Sequence, residues 1–258
     1  MSILLEKRIL LEDAEINYWE SEIKSSKVVL FVHGWGMQAS AYRSALKRLG
    51  SNFRVVALDL PGFGKSRSLS SSSKKYTSFD YANCISSFSQ KLDINEFYLV
   101  GHSMGGGVSA LVAALFPEKV LKLILIDCAG KPLGDLRRVL AARLVEIPLQ
   151  TIGNPLSKEN VHMGHAFLNN LLKNGSHTLN TLKIPLNENL MSYFKTINVP
   201  CLILWGKKDK TIPIDCGRDI AALVPNSELI EIEDGYHEWS ILMPDEFSKL
   251  ITNFIRLQ

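Results

Sequence analysis

The chain has 258 residues, 46% of them hydrophobic, and a net charge of only +3. That is enough to bury a large core in one α/β domain with room for an inserted subdomain, and so small a charge makes no case for a nucleic-acid partner, so none is expected. The four cysteines, Cys84, Cys128, Cys201 and Cys216, lack Cys-x-x-Cys spacing, which argues against a disulfide or metal framework and for buried free thiols.

The start, Met1-Ser2-Ile3-Leu4-Leu5-Glu6-Lys7-Arg8, becomes charged before a signal-peptide core could form. No apolar run approaches the ~20 residues of a membrane span, so a cytoplasmic protein without a membrane span is expected. Residues 7–13 and 15–20 read as two short antiparallel strands. Lys27 to His33 is a compact run of Val, Leu and Phe, suited to a strand buried on both faces. A helix from about Ala39 to Leu49 follows, then a strand from Phe53 to Asp59. The serine-crowded stretch Ser66 to Ser78 reads as a surface loop. A helix near Phe79 to Leu92 leads to a strand beginning at Glu96. Next come a turn at Gly101-His102-Ser103-Met104-Gly105, a helix rich in Ala and Leu, and a strand from Val120 to Asp127.

From Val199 the strand–helix rhythm resumes, with strands near 200–206 and 228–232 and helices near 214–224 and 245–256. Strands alternating with helices at this spacing imply a mostly parallel sheet flanked by helices on both faces. Between Cys128 and Lys195 the rhythm breaks into helices and loops punctuated by Pro132, Pro148, Pro155 and Pro185. Too long for a loop, residues 128–195 are expected to form an inserted helical lid, or cap, on a core of residues 1–127 and 196–258.

Chemistry concentrates where strands end. Gly-x-Ser-x-Gly between a strand and a helix is a nucleophile elbow, a turn tight enough to require glycine beside the serine and to present Ser103 outward. The Met104 amide, opening the helix, can then face a developing oxyanion. Asp209 falls just beyond the strand at Leu202–Gly206, and His237 in the loop after the last strand. Loops at the carboxyl ends of parallel strands gather along one edge. Ser103, Asp209 and His237 are therefore expected as nucleophile, acid and base. The backbone amides of Trp35 and Met104 are expected to form the oxyanion hole.

Other residues have competing readings. Asp127, at a strand end, is an alternative triad acid, whereas Asp59 reads as a structural carboxylate. His33, His102, Trp35 and Trp239 adjoin the expected site and are substrate-lining candidates, with a structural role the competing reading for the histidines and core packing for the tryptophans. His162 and His165 lack the further ligands a metal would need, so no metal is expected.

These motifs together resemble the α/β-hydrolase family over nearly the whole chain outside the lid. The residues that carry the resemblance are His33-Gly34-Trp35-Gly36, Asp59-Leu60-Pro61-Gly62-Phe63-Gly64-Lys65-Ser66, Gly101-His102-Ser103-Met104-Gly105-Gly106, Gly206-Lys207-Lys208-Asp209 with Pro213, and His237. The first two turns also resemble the pimeloyl-ACP methyl ester esterases of biotin synthesis. The match departs from some of those esterases at His102, where they carry Trp, and in its compact lid. The resemblance implies an α/β-hydrolase fold and a cofactor-free serine hydrolase acting on a small-molecule carboxylic ester through an acyl-enzyme. The same triad in relatives serves thioesters, carbon–carbon bonds and the elimination of the menaquinone-pathway synthase. Hydrolase-fold ligand receptors are the non-enzyme alternative.

The lid holds eight basic residues (Lys131, Arg137, Arg138, Arg143, Lys158, Lys173, Lys183, Lys195) against four acidic ones (Asp135, Glu146, Glu159, Glu188). At ~100° per residue a helix over 135–147 gathers Leu136, Leu140, Leu144 and Ile147 into one stripe, flanked by Arg137 and Arg143. Two readings follow: a solvated amphipathic helix packed on the core through that stripe, or a docking surface for an acyl carrier protein.

Overall fold

The computed structural model describes residues 1–69, 74–152 and 155–257. Residues 70–73, the centre of the serine-rich stretch, lie outside the described residues. The chain opens with β1 (Leu4–Leu10) and β2 (Ala14–Ser21), an antiparallel pair, then β3 (Val28–Val32). A 3-10 turn (Ala39–Tyr42) runs into α1 (Arg43–Leu49), and β4 (Arg54–Leu58) follows. A two-residue strand, β5 (Arg67–Ser68), pairs with β2 inside the stretch expected to be loop.

The helix α2 (Ser78–Lys91) begins with a capping box, in which the Thr77 hydroxyl accepts from the Asp80 amide and the Asp80 carboxylate accepts from the Thr77 amide. Next are β6 (Phe97–His102), α3 (Met104–Leu115) and β7 (Val120–Ile126). Between β7 and β8 (Cys201–Gly206) the chain makes α4 (Leu136–Thr151), α5 (Lys158–Lys173), α6 (Gly175–Thr181), α7 (Lys183–Asn187) and α8 (Met191–Phe194). The close consists of α9 (Ile214–Leu223), β9 (Ser227–Ile232), α10 (Trp239–Leu242) and α11 (Pro244–Arg256).

Among the described residues nine strands form one sheet, in the order β1-β2-β4-β3-β6-β7-β8-β9, with β5 beside β2. From β4 to β9 every pairing is parallel. The residues of β3, β6 and β8 are buried throughout, as expected for strands covered on both faces. Leu30, Leu99 and Leu125 pack towards α2 and α3, while Phe31, Val100 and Ile124 pack towards α1 and α11. This layering brings the carboxyl ends of β3, β6, β7, β8 and β9 to one edge.

The helix α4 departs from the expectation in two ways. It continues through Pro148 to Thr151, although a proline is expected to punctuate a helix. Its stripe of Leu136, Leu140, Leu144 and Ile147 faces solvent, at 37%, 53%, 76% and 41% exposure. The side turned inward centres on polar groups: Glu146 is buried, and Arg143 and Gln150 are partly so, beside Val139 and Ala142. The packing reading of the stripe is thus overturned, because the loops beneath α4 supply hydrogen-bonding groups rather than an apolar surface.

Candidate active site

At the end of β6 the chain must reverse into α3 within one residue. Ser103 takes φ 54° and ψ −121° to do so, a conformation that costs a non-glycine residue roughly 1–3 kcal/mol. Its surroundings enforce it. The Ser103 amide donates to the Ile126 carbonyl at 2.9 Å, and its own carbonyl accepts from Gly106, Gly107 and Ala129 at 2.9, 3.2 and 2.9 Å. The flanking glycines are needed for space: a Cβ on Gly101 would strike the Gly105 carbonyl, and one on Gly105 the His33 carbonyl.

The loops after β8 and β9 are stitched together before they reach the serine. Lys207 and Lys208 amides donate to the Ile232 and Gly235 carbonyls at 3.0 and 2.8 Å. That places Asp209 beside His237. His237 Nδ1–H donates to Asp209 Oδ2 at 2.7 Å, and His237 Nε2 lies 3.0 Å from Ser103 Oγ. The other Asp209 oxygen accepts from the Ile212 amide at 2.8 Å. All three residues are buried. Burial disfavours the charged imidazole, but the charge and hydrogen bond of Asp209 more than offset it and lift His237 to about 9.

Asp127, the alternative acid, does not reach the histidine ring. Its Oδ1 accepts from the Gly206 amide at 2.8 Å and ties β7 to β8. Burial, with the neighbouring Asp209 charge, pushes its carboxyl well above the usual range. Asp59 accepts from the Ala39 and Lys65 amides and from Asn17, a structural carboxylate as read from the sequence.

The turn after β3 abuts the serine, since a Cβ on Gly34 would lie 3.2 Å from Ser103 Cβ. Trp35 and Met104 thus flank Ser103, and among the described residues neither main-chain N–H is committed to another acceptor. Of the four lining candidates only Trp35 has appreciable exposed surface. Its Nε1–H donates to the Thr178 carbonyl at 2.9 Å, and its ring meets Phe167 edge-on.

The other three are internal, which fits the structural and packing readings in place of lining. His33 is fully buried, its Nδ1–H donating to the Gly34 carbonyl and its Nε2 accepting from the Leu60 amide. His102 donates from Nε2 to the His237 carbonyl at 2.8 Å and accepts at Nδ1 from the Tyr42 hydroxyl at 2.6 Å. Burial and the neighbouring His237 hold it at about 3, so it is a neutral strut beneath His237. Trp239 is 1% exposed in the core.

Sequence reading missed the polar side of α4. Glu146 accepts from the His237 amide and the Thr211 hydroxyl, both at 2.7 Å. Arg143 forks onto Glu238 at 2.9 and 2.5 Å, and Gln150 donates to Glu238 at 2.7 Å. The signal was present, because Arg143, Glu146 and Gln150 recur at helical spacing on one side of the helix. Among the described residues no group of three or more His, Cys, Asp or Glu could hold a metal ion.

A family model described as the alpha/beta hydrolase fold matches residues 27–149. A serine hydrolase involved in carbazole degradation superposes with a TM-score of 0.82 over 99% of this chain and 100% of its own, at 23% identity. The fold of this chain is the α/β-hydrolase fold. Among curated proteins this chain is similar to the pimeloyl-[acyl-carrier protein] methyl ester esterase of Aliivibrio salmonicida (strain LFI1238), at 25% identity over 93% of this chain and 95% of the relative. It is also similar to the 2-hydroxy-6-oxononadienedioate/2-hydroxy-6-oxononatrienedioate hydrolase of Escherichia coli (strain K12 / DH10B), at 27% identity over 90% and 88%. Among its described residues no helix is long and apolar enough to cross a membrane.

Proposed function

We propose that this hydrolase cleaves carboxylic esters through an acyl-enzyme, with Ser103 as nucleophile, His237 as general base and acid, and Asp209 as the orienting carboxylate. The observation that carries this reading is the unbroken line Ser103–His237–Asp209, at 3.0 and 2.7 Å, ending on a serine in a strained turn. A serine hydroxyl is almost un-ionised at neutral pH and needs a base at hydrogen-bond distance. His237 Nε2 takes the proton as Ser103 Oγ attacks the ester carbonyl. The charge passes to the carbonyl oxygen, where the Trp35 and Met104 amides stabilise it. Collapse expels the alcohol, which takes the proton from His237, and water repeats the cycle on the acyl-serine. Asp209 holds the tautomer that leaves Nε2 free and stabilises the imidazolium.

Residues 128–195 we read as a lid over this site, with Phe167 beside Trp35 at its inner margin. A second reading, cleavage of a carbon–carbon bond, runs on the same three groups and is favoured by the Escherichia coli relative. An ester panel of graded acyl length, set against a vinylogous 1,5-diketone, separates the two. A receptor would stall after about one cycle on a short p-nitrophenyl ester. Ser103→Ala should lose about 10⁶-fold in kcat, while full activity in that variant would remove the proposal.

The esterase relative's name raises a carrier protein as the substrate's vehicle. Arg137 and Arg138 are exposed on α4, whereas Arg143 is spent on Glu238 and leaves any docking surface. Arg137→Glu with Arg138→Glu should raise KM for a carrier-bound ester and spare a free ester. Equal effects on both substrates would leave these arginines as ordinary surface.

A further inference from the structure

A surface helix normally buries its apolar stripe and offers its charges to water. The helix α4 does the reverse, keeping Leu140 and Leu144 in solvent and sealing Glu146 completely. Burying a carboxylate is costly unless hydrogen bonds and a countercharge offset it. The Glu146 hydrogen bonds come from two places: the His237 main-chain N–H on the loop after β9, and the Thr211 hydroxyl two residues beyond Asp209 on the loop after β8. Arg143, 3.7 Å away, is the countercharge, and it clamps Glu238, the residue after the histidine. One carboxylate therefore grips the loop of the base and the loop of the acid together. Against it, His102 holds the His237 carbonyl at 2.8 Å, so the histidine's peptide groups are held from both sides.

We propose that Glu146 is a positioning residue for the Ser103–His237–Asp209 line, fixing the aim of the His237 ring from the helical segment rather than from the sheet. The inference rests on the catalytic reading above. It differs from mere anchoring of α4 in what it predicts: anchoring alone would alter substrate capture, whereas positioning alters turnover. Placement errors of about 1 Å cost on the order of 100-fold.

The test is steady-state hydrolysis of a short p-nitrophenyl ester by Glu146→Ala, Glu146→Gln and Thr211→Val, with Ser103→Ala in parallel and thermal melting as a check of folding. Glu146→Ala should lower kcat about 10- to 100-fold with KM within about threefold. Glu146→Gln should recover most of kcat, because its amide oxygen can accept from the His237 N–H and its amide nitrogen can donate to Thr211. Thr211→Val, which removes one of the two bonds, should show a smaller loss in kcat and carries the test if Glu146→Ala does not fold. An unchanged kcat in Glu146→Ala and Thr211→Val, or a change in KM alone, would overturn the inference. Turnover surviving in Ser103→Ala would overturn the catalytic reading instead.

Discussion

In the sheet, Val28–Val32 and Phe97–His102 bury every residue, whereas α4 buries Glu146 against the triad loops and leaves Leu144 at 76% exposure. The strands follow the hydrophobic effect and need nothing else to explain their placement. The helix is placed by hydrogen bonds and charge against its own apolar composition. Stability and loop placement therefore have different sources in this molecule. The sheet supplies a rigid edge on which the loops end, and the helical segment supplies polar groups that hydrogen-bond those loops.

Substitutions in either region test this contrast. The largest effect after loss of the serine is expected at the acid. Asp209→Asn should drop kcat by about 10⁴-fold, whereas Asp127→Asn should leave the triad line intact. Asp209 is also what lifts His237 to about 9 from an ordinary 6.5. Since the base must be neutral, wild-type kcat/KM should fall as pH drops through that region. In Asp209→Asn the residual activity should titrate nearer the ordinary histidine range. The sign for stability is the opposite: the raised His237 contributes stability that is complete below about 6.5 and is lost as pH rises through about 9. A pH–rate profile of both proteins checks the first statement, and an Asp127→Asn enzyme as impaired as Asp209→Asn would transfer the acid role.

A smaller effect, on stability rather than rate, separates the two regions directly. Ile124→Ala in β7 should cost about 2–5 kcal/mol in urea unfolding, because its fully buried side chain leaves a cavity. Leu144→Ala on α4 should stay within about 0.5 kcal/mol. A comparable loss at Leu144 would mean that its face is covered after all.

The legibility of the chain divides along the same line. The parallel strands read as apolar runs because both their faces are buried, and Ser103, Asp209 and His237 read from the elbow motif and the Ser, Asp, His order of strand-end residues, with Asp127 left open as the acid. The inward face of α4 did not, since periodicity identifies stripes but not which stripe faces the protein. Glu146 became visible only once the loops of Thr211 and His237 lay beneath it. The roles of His33 and His102 needed their hydrogen-bond partners, Gly34, Leu60, Tyr42 and His237, which lie up to 135 residues away. Trp239, beside the base in sequence, points into the core because α10 turns it there.

Intact-mass analysis after exposure to a serine-directed phosphonate asks whether Ser103 is the nucleophile. One adduct per chain is expected, on Ser103, and none in Ser103→Ala. An adduct on another serine of the wild-type protein, or full labelling of Ser103→Ala, would rule Ser103 out.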